Sequence, residues 1–264
     1  MFKRAKEIAK MCRAFEVSTY KQIEMGNIKI PVYLSAGQEM IPSVISSYCQ
    51  ELEISPMLFG QHRCHSIYLS FGGNPVELID EILGFSTGCA KGMGGSASIQ
   101  CKKIKMFGHD GLMGSNVPIG VGACFASQEP TIVFVGDAAG EEDYALAAYG
   151  WAATKKLPIL FVVEDNNLSI LTEKKIRRSW QINDVSSAMG IESHNISDDP
   201  KDIATALDGW KFDRPKLINV NTERMFWHCG AGTDGHKVDL LQNEDITEYL
   251  ERFENLWQSR LEKR

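Results

Sequence analysis

Two short stretches constrain this chain more than any others: "TIVFVG" at 131–136 and "PILFVVE" at 158–164. Each is a β-rich apolar run without polar alternation, so neither face of such a strand can be left in water. The Ala-rich stretch from Tyr144 to Lys156 lies between them and has the length of a helical crossover. Strand, helix, strand with continuous apolar strands predicts a parallel sheet flanked by helices on both faces, an α/β fold. "KLINVN" at 216–221 adds a third strand.

Ligands of such sheets bind at the carboxyl ends of the strands, where loops leave for the next helix. The first run empties into "GDAAGEED" and the second into "EDNNLS". If these strands are neighbours, Asp137 and Asn166 come close together, and both are oxygen donors of the kind a hard cation selects. The small residues at 138–140 let the backbone approach a diphosphate, and the helix start that follows offers unpaired N–H groups and a positive dipole end. A plainer reading has equal standing at this point: Asp137 caps a helix, and Asn166 and Asn167 form a turn.

Elsewhere Phe2, Ala5, Ile8, Cys12, Phe15 and Ile23 recur at helical spacing and predict a long first helix. Ser35 and Gln38 have capping-box spacing, which predicts a second helix running through Val44 and Ile45. Residues 60–116 read mostly as ordered loop, and Glu244 to Arg264 as an exposed, charged helix. No repeat or Pro/Gly/Ser linker divides the chain, so one domain over 1–264 is expected.

Lys and Arg number 28 against 34 Asp and Glu, a net charge of −6, which argues against a nucleic-acid surface. The longest apolar runs are far too short to cross a bilayer. The amino-terminal stretch has no apolar centre of a secretory signal. Seven cysteines lie apart without a Cys-x-x-Cys pair, the usage of a reducing cytoplasm.

Six phrases in a fixed order go further. They are "GQE" at 37–39, "HR" at 62–63, "GMGGS" at 92–96, "GSNVPIGVGA" at 114–123, "KKLPILFVVEDNN" at 155–167 and "TERMFWHCGAGTD" at 222–234. Gly136-Asp137 and Asn166-Asn167 resemble the thiamine diphosphate motif. From about Ala36 to Gly235 the chain resembles the alpha subunit of the pyruvate, acetoin and branched-chain 2-oxo acid dehydrogenases. The resemblance implies the thiamine diphosphate-binding fold, of the type that holds the diphosphate. It implies a cofactor pair of thiamine diphosphate and Mg²⁺, the metal held by Asp137, Asn166 and the Leu168 carbonyl; an alternative register would use Asn167 and Ser169. Gly136, Ala138 and Ala139 then fall beside the diphosphate, Arg63 and His62 at phosphate-gripping positions, and Gly111 and Met113 where backbone groups meet the aminopyrimidine. His228 matches a catalytic histidine near the reacting carbon, and His65 is a further catalytic candidate, open between the site and the core.

The function implied by the resemblance is the decarboxylation of a 2-oxo acid, or cleavage of an α-hydroxyketone, with transfer of the acyl unit. The resemblance also implies a separate pyrimidine-binding beta subunit in an α2β2 heterotetramer, and a lipoyl-domain acceptor. The glycines of 88–96 and 114–122 are expected to form the contact surface. Two other readings compete: the amino-terminal half of a split transketolase, and a nucleotide-binding module without catalysis. The sequence departs from the family pattern in Ala138, where a glycine is usual, and in Met93 and Ser98. His109, His194 and His236 have no supporting pattern. Glu39, Glu141, Glu142 and Cys229 are read as structural.

Overall fold

A computed structural model describes residues 1–230, 232–233 and 240–264. Ala231, Asp234, Gly235 and His236 lie outside the described residues. The chain opens with α1 (Phe2–Glu24) and α2 (Met40–Glu51), then β1 (Met57–Phe59), α3 (His65–Ser70) and α4 (Pro75–Leu83). β2 (Met106–Phe107), α5 (Asn116–Ser127), β3 (Thr131–Gly136), α6 (Asp143–Lys155) and β4 (Ile159–Asp165) follow. A small antiparallel hairpin of β5 (Leu168–Ser169) and β6 (Thr172–Glu173) leads through α7 (Lys174–Arg177) to α8 (Ile182–Ala188). The described chain closes with β7 (Glu192–Ser197), α9 (Pro200–Leu207), β8 (Lys216–Asn221) and α10 (Thr247–Leu261).

The main sheet has six strands in the order β2-β1-β3-β4-β8-β7, all parallel. Alternate residues of β3 and β4 feed two cores. Ile132, Phe134, Leu160 and Val162 pack under α1 to α4, α9 and α10, whereas Val133, Val135, Phe161 and Val163 pack under α5, α6 and α8. Burial on both faces is why these runs carry no polar alternation.

The first helix, the crossover helix and the three long apolar strands stand where the sequence places them. Four details differ. Ser35 makes no capping box, because its hydroxyl donates to Glu16 at 2.6 Å and accepts from the Ser66 N–H; α2 begins later, at Met40. The stretch 60–116 holds two helices, α3 and α4, and the strand β2 besides loop. One of them, α4, starts on a proline with Asn74 capping Val76. The last helix is amphipathic rather than exposed throughout, since Phe253 and Trp257 are fully buried against the α1 side. β1, β2 and β7 escape the apolar signal because the first two have only three and two residues, and β7, "ESHNIS", is a polar edge strand. None of the seven cysteines is paired. Among the described residues no helix is long and apolar enough to cross a membrane.

Candidate active site

From β1 the chain moves to β2 on one side and then returns to place β3 on the other. Strand order reverses at that point, and in open parallel sheets the crevice beyond such a reversal is the binding position. Asn116, the first residue of α5, stitches the two strand ends together by donating to the Phe134 carbonyl at 2.7 Å and the Gly60 carbonyl at 3.4 Å. A cavity of about 200 Å³ opens there. It is lined by Gln61 to Arg63 after β1, by Gly136 to Ala139 after β3, and by Asn166 and Leu168 to Ile170 after β4. Arg224 and His228, from the segment after β8, complete it with Met113 and Glu142.

One edge is cationic and aromatic. Arg63 is buried, and its guanidinium donates to the Leu34 carbonyl at 2.8 Å and the His228 carbonyl at 3.5 Å, so it pins two distant segments to the strand end. The imidazole of His62 lies 5.4 Å from that of His228, 5.0 Å from the Tyr33 ring and 6.0 Å from His109. Burial, and then the charge of Arg63, push the His62 imidazole down to about 2, so it stays neutral. Its Nε2 is buried with no hydrogen-bond partner among the described residues. A buried polar atom left unmatched in a cavity wall marks a place for a ligand atom. Arg224 reaches the His228 ring at 3.5 Å and the Ile170 carbonyl at 2.6 Å.

The opposite edge carries oxygen donors. Asp137 is 2% exposed, and burial together with the neighbouring Asp165 raises its carboxyl above the ordinary value. A guanidinium already answers that charge: Arg177 binds Asp137 and Glu141 at once. Asp165 faces the other way, held by Lys174 and by Asn219 at 3.1 Å. The register pairs Gly136 with Glu164, which brings the turns after β3 and β4 to one level. Asn166 lines the cavity, its side chain donating to Gln38 at 3.2 Å; Asn167 is exposed, with a positive φ of 65°. Ala138 has an ordinary helical φ of −72°, so alanine causes no strain where a glycine is usual.

The structure thus gathers His62, Arg63, Met113, Gly136, Asp137, Ala138, Ala139, Asn166, Leu168 and His228 around one cavity. It does not bring two expected residues there. Gly111 is exposed, with φ +108°, and lies off the cavity wall. His65 is fully buried between Glu16 at 3.2 Å and the Ser96 hydroxyl at 2.9 Å. Because Ser96 also accepts the Tyr33 N–H at 2.9 Å, His65 positions the glycine-rich loop and does not face the cavity. That loop wraps around a second buried carboxylate, Glu81, which accepts the N–H groups of Ala90, Gly92 and Gly94 at 2.7–2.9 Å.

Gly92 and Gly94 are glycines for this internal reason. A Cβ on either would lie 2.6 Å or less from backbone atoms of Gly84 or Ser98, so these two are fixed as glycines by packing within the chain itself. Gly114 and Gly120 are likewise packed inward, whereas Gly122 faces open space.

Sequence reasoning missed Gln61, Glu142, Ile170 and Arg177. It also missed Glu164, a fully buried residue that accepts from Gln61 just beneath the cavity and is pushed up to about 7 by burial. The one available signal for Glu164 was an acidic residue ending an apolar strand.

The chain matches the family described as "Dehydrogenase E1 component" over residues 5–228. It is 27% identical over 258 residues to the pyruvate dehydrogenase E1 component subunit alpha of Rickettsia conorii, covering 92% of this chain and 76% of that one. Among solved structures it overlays transketolase from Leishmania mexicana with a TM-score of 0.64 at 16% identity, covering 98% of this chain and 44% of that one. Transketolase from Campylobacter jejuni gives 0.64 at 15% identity, over 97% and 48%. The chain spans less than half the length of these transketolases, and at such identity the likeness is one of fold. With the family match over most of its length and the strand-end cavity built from its motifs, the chain belongs to the dehydrogenase E1 component family, of the alpha-subunit type of thiamine diphosphate-dependent 2-oxo acid dehydrogenases.

Proposed function

We propose that this chain is the diphosphate-binding alpha subunit of an enzyme that decarboxylates a 2-oxo acid and passes on the acyl unit. The observation that carries this reading is the cavity at the strand reversal, with oxygen donors on one edge and cationic and imidazole groups on the other. Asp137, Asn166 and the Leu168 carbonyl would hold Mg²⁺, a cation that prefers oxygen ligands and bridges to phosphate. Arg63 and the unmatched Nε2 of His62 suit phosphate oxygens, with Gly136, Ala138 and Ala139 giving the backbone close access.

When bound, thiamine diphosphate supplies the carbanion-stabilising chemistry that decarboxylation needs. The residues of this chain orient it and neutralise its phosphates. His228 stands at the cavity mouth beside Arg224, placed to hold or move a proton at the reacting end. Met113 offers backbone to the pyrimidine side, and its own carbonyl accepts from Tyr144.

A pyrimidine-binding beta subunit in an α2β2 assembly completes this reading. An apolar face supports it: Ile119 and Phe125 of α5 and Trp151 of α6 are 49%, 45% and 40% exposed, and Gly122 opens on the same helix. A lipoyl-domain acceptor and a cytoplasmic location belong to the same proposal. The test is turnover of a panel of 2-oxo acids and ketose phosphates, by the chain alone and with its partner. The expected result is no turnover alone and 2-oxo acid decarboxylation when the partner is added. Activity on ketose phosphates would favour the split transketolase, and failure to bind the cofactor with Mg²⁺ would favour a non-catalytic module.

A further inference from the structure

The turn from Asp110 to Ser115 leads into α5 and carries Met113 into the cavity wall. Apolar burial does little to hold it, since Leu112 and Met113 are 59% and 39% exposed. Hydrogen bonds fix its shape instead. Asp110 Oδ1 accepts the Leu112 N–H at 3.1 Å. The Ser115 hydroxyl is shared between that carboxylate and the Leu112 carbonyl. The Gly114 carbonyl accepts from the Val117 N–H at 3.0 Å. The Met113 carbonyl accepts from the hydroxyl of Tyr144, the second residue of α6. The Met113 N–H is left over, with no hydrogen-bond partner among the described residues.

Tyr144 reaches this turn from a separate element, and the two are in close contact. A Cβ on Gly114 would lie 2.5 Å from the Ala139 carbonyl oxygen and 3.3 Å from the Tyr144 ring. Gly114 also takes a left-handed φ of 81°, so the turn is shaped to lie against the start of α6. Desolvation, and then the Glu142 and Asp143 carboxylates, raise the Tyr144 hydroxyl above its ordinary value, so it stays a donor. A Met113 carbonyl bonded only to water would leave the peptides on both sides of Met113 freer to rotate. A donor that must meet one ligand atom works best when its position is fixed beforehand.

We propose that Tyr144 is a positioning residue for the aminopyrimidine end of the cofactor: its hydroxyl ties down the Met113 carbonyl, so that the adjoining N–H is held ready as a donor to a ring nitrogen. The inference rests on the reading of the cavity as a thiamine diphosphate site. It divides the labour within that site. Asp137 and Arg63, at the strand ends, serve the diphosphate, whereas Tyr144 acts on the ring end and does so only through the Met113 turn.

The test is Tyr144→Phe, which keeps the ring that packs on Gly114 and removes the hydroxyl alone. Binding is measured by calorimetry with Mg²⁺, on the full chain with its partner. The two probes are thiamine diphosphate and inorganic pyrophosphate, which has the diphosphate and no ring. The native protein should bind thiamine diphosphate the more tightly of the two. Tyr144→Phe should weaken thiamine diphosphate about fivefold, the scale of one hydrogen bond, and leave pyrophosphate unchanged. Hydrogen exchange at 111–115 without ligand should be faster in the variant. Equal weakening of both probes would make Tyr144 a general structural support and overturn the assignment. Unchanged binding of both would overturn it while leaving the cofactor reading standing. Native protein that binds the two probes equally, or neither of them, would remove the cofactor reading and this inference together.

Discussion

The floor and the rim of the cavity are built on opposite principles. Arg63 and Asp137 form the floor, each 2% exposed, at the ends of parallel strands whose register and flanking cores leave them little freedom. The rim is made of Met113 and Ile170, 39% and 59% exposed, and of the half-buried Ser169 and His228, on segments tied by ion pairs and a few hydrogen bonds. The difference teaches where each task resides. Charge recognition needs preorganised groups that need no reorganisation on binding, so it belongs on strand ends. Admission and release of ligands need local opening at low cost, so they belong on elements with little buried apolar area.

The largest test of this contrast is Asp137→Ala, which removes a floor charge. Magnesium-dependent binding of thiamine diphosphate should weaken by on the order of 10²-fold or more, with the fold nearly intact, as calorimetry in the presence of the partner would measure. Unchanged affinity would mean the floor does not bind the cofactor through a metal.

His228→Ala acts on the rim side. Turnover should fall by about 10²-fold, the usual range for lost acid–base help. The Tm should move by no more than about 2 °C, since few buried contacts are removed. A large drop in Tm with normal residual turnover would make His228 a packing residue and blur the floor–rim distinction.

The opposite pattern is expected for His65→Ala. Removing a fully buried ring that joins Glu16 to Ser96 should lower stability by about 3 kcal/mol in denaturant melts. The fraction that remains folded should keep its dependence on 2-oxo acid concentration. A selective loss of turnover at unchanged stability would return His65 to the site.

The smallest effect concerns Glu164, beneath the floor. Its carboxyl is raised from 4.5 to about 7, so the folded chain holds a proton that the unfolded chain releases. The stability this contributes is present below 4.5 and is lost as pH rises through about 7. Glu164→Gln should therefore lose less stability than the native chain between about pH 5 and pH 8, read from melts across that range. Parallel curves for the two would show that Glu164 is already ionised in the fold.

Much of this molecule is legible in its sequence, and the reasons are local. Short apolar runs without alternation, rich in β-branched and aromatic residues, read as doubly covered strands, so "TIVFVG" and "PILFVVE" announced the parallel sheet, and their ends announced Asp137 and Asn166. What the residues could not announce depends on partners far away in the chain. Ser35 has the spacing of a cap, but Glu16 and Ser66 claim its hydroxyl. His65 stands two residues from Arg63 and yet turns into the core, because Glu16 and Ser96 bracket it. Arg177 looks like one more surface charge in "KKIRR", and only the folding of that turn onto the end of β3 sets it against Asp137. Periodicity and strand-end chemistry are written in neighbouring residues, so the sequence alone determined the three long strands of the sheet and the Asp137 side of the floor. The choice of which buried charges face each other rests on contacts between residues tens of positions apart, and only the tertiary structure could decide it.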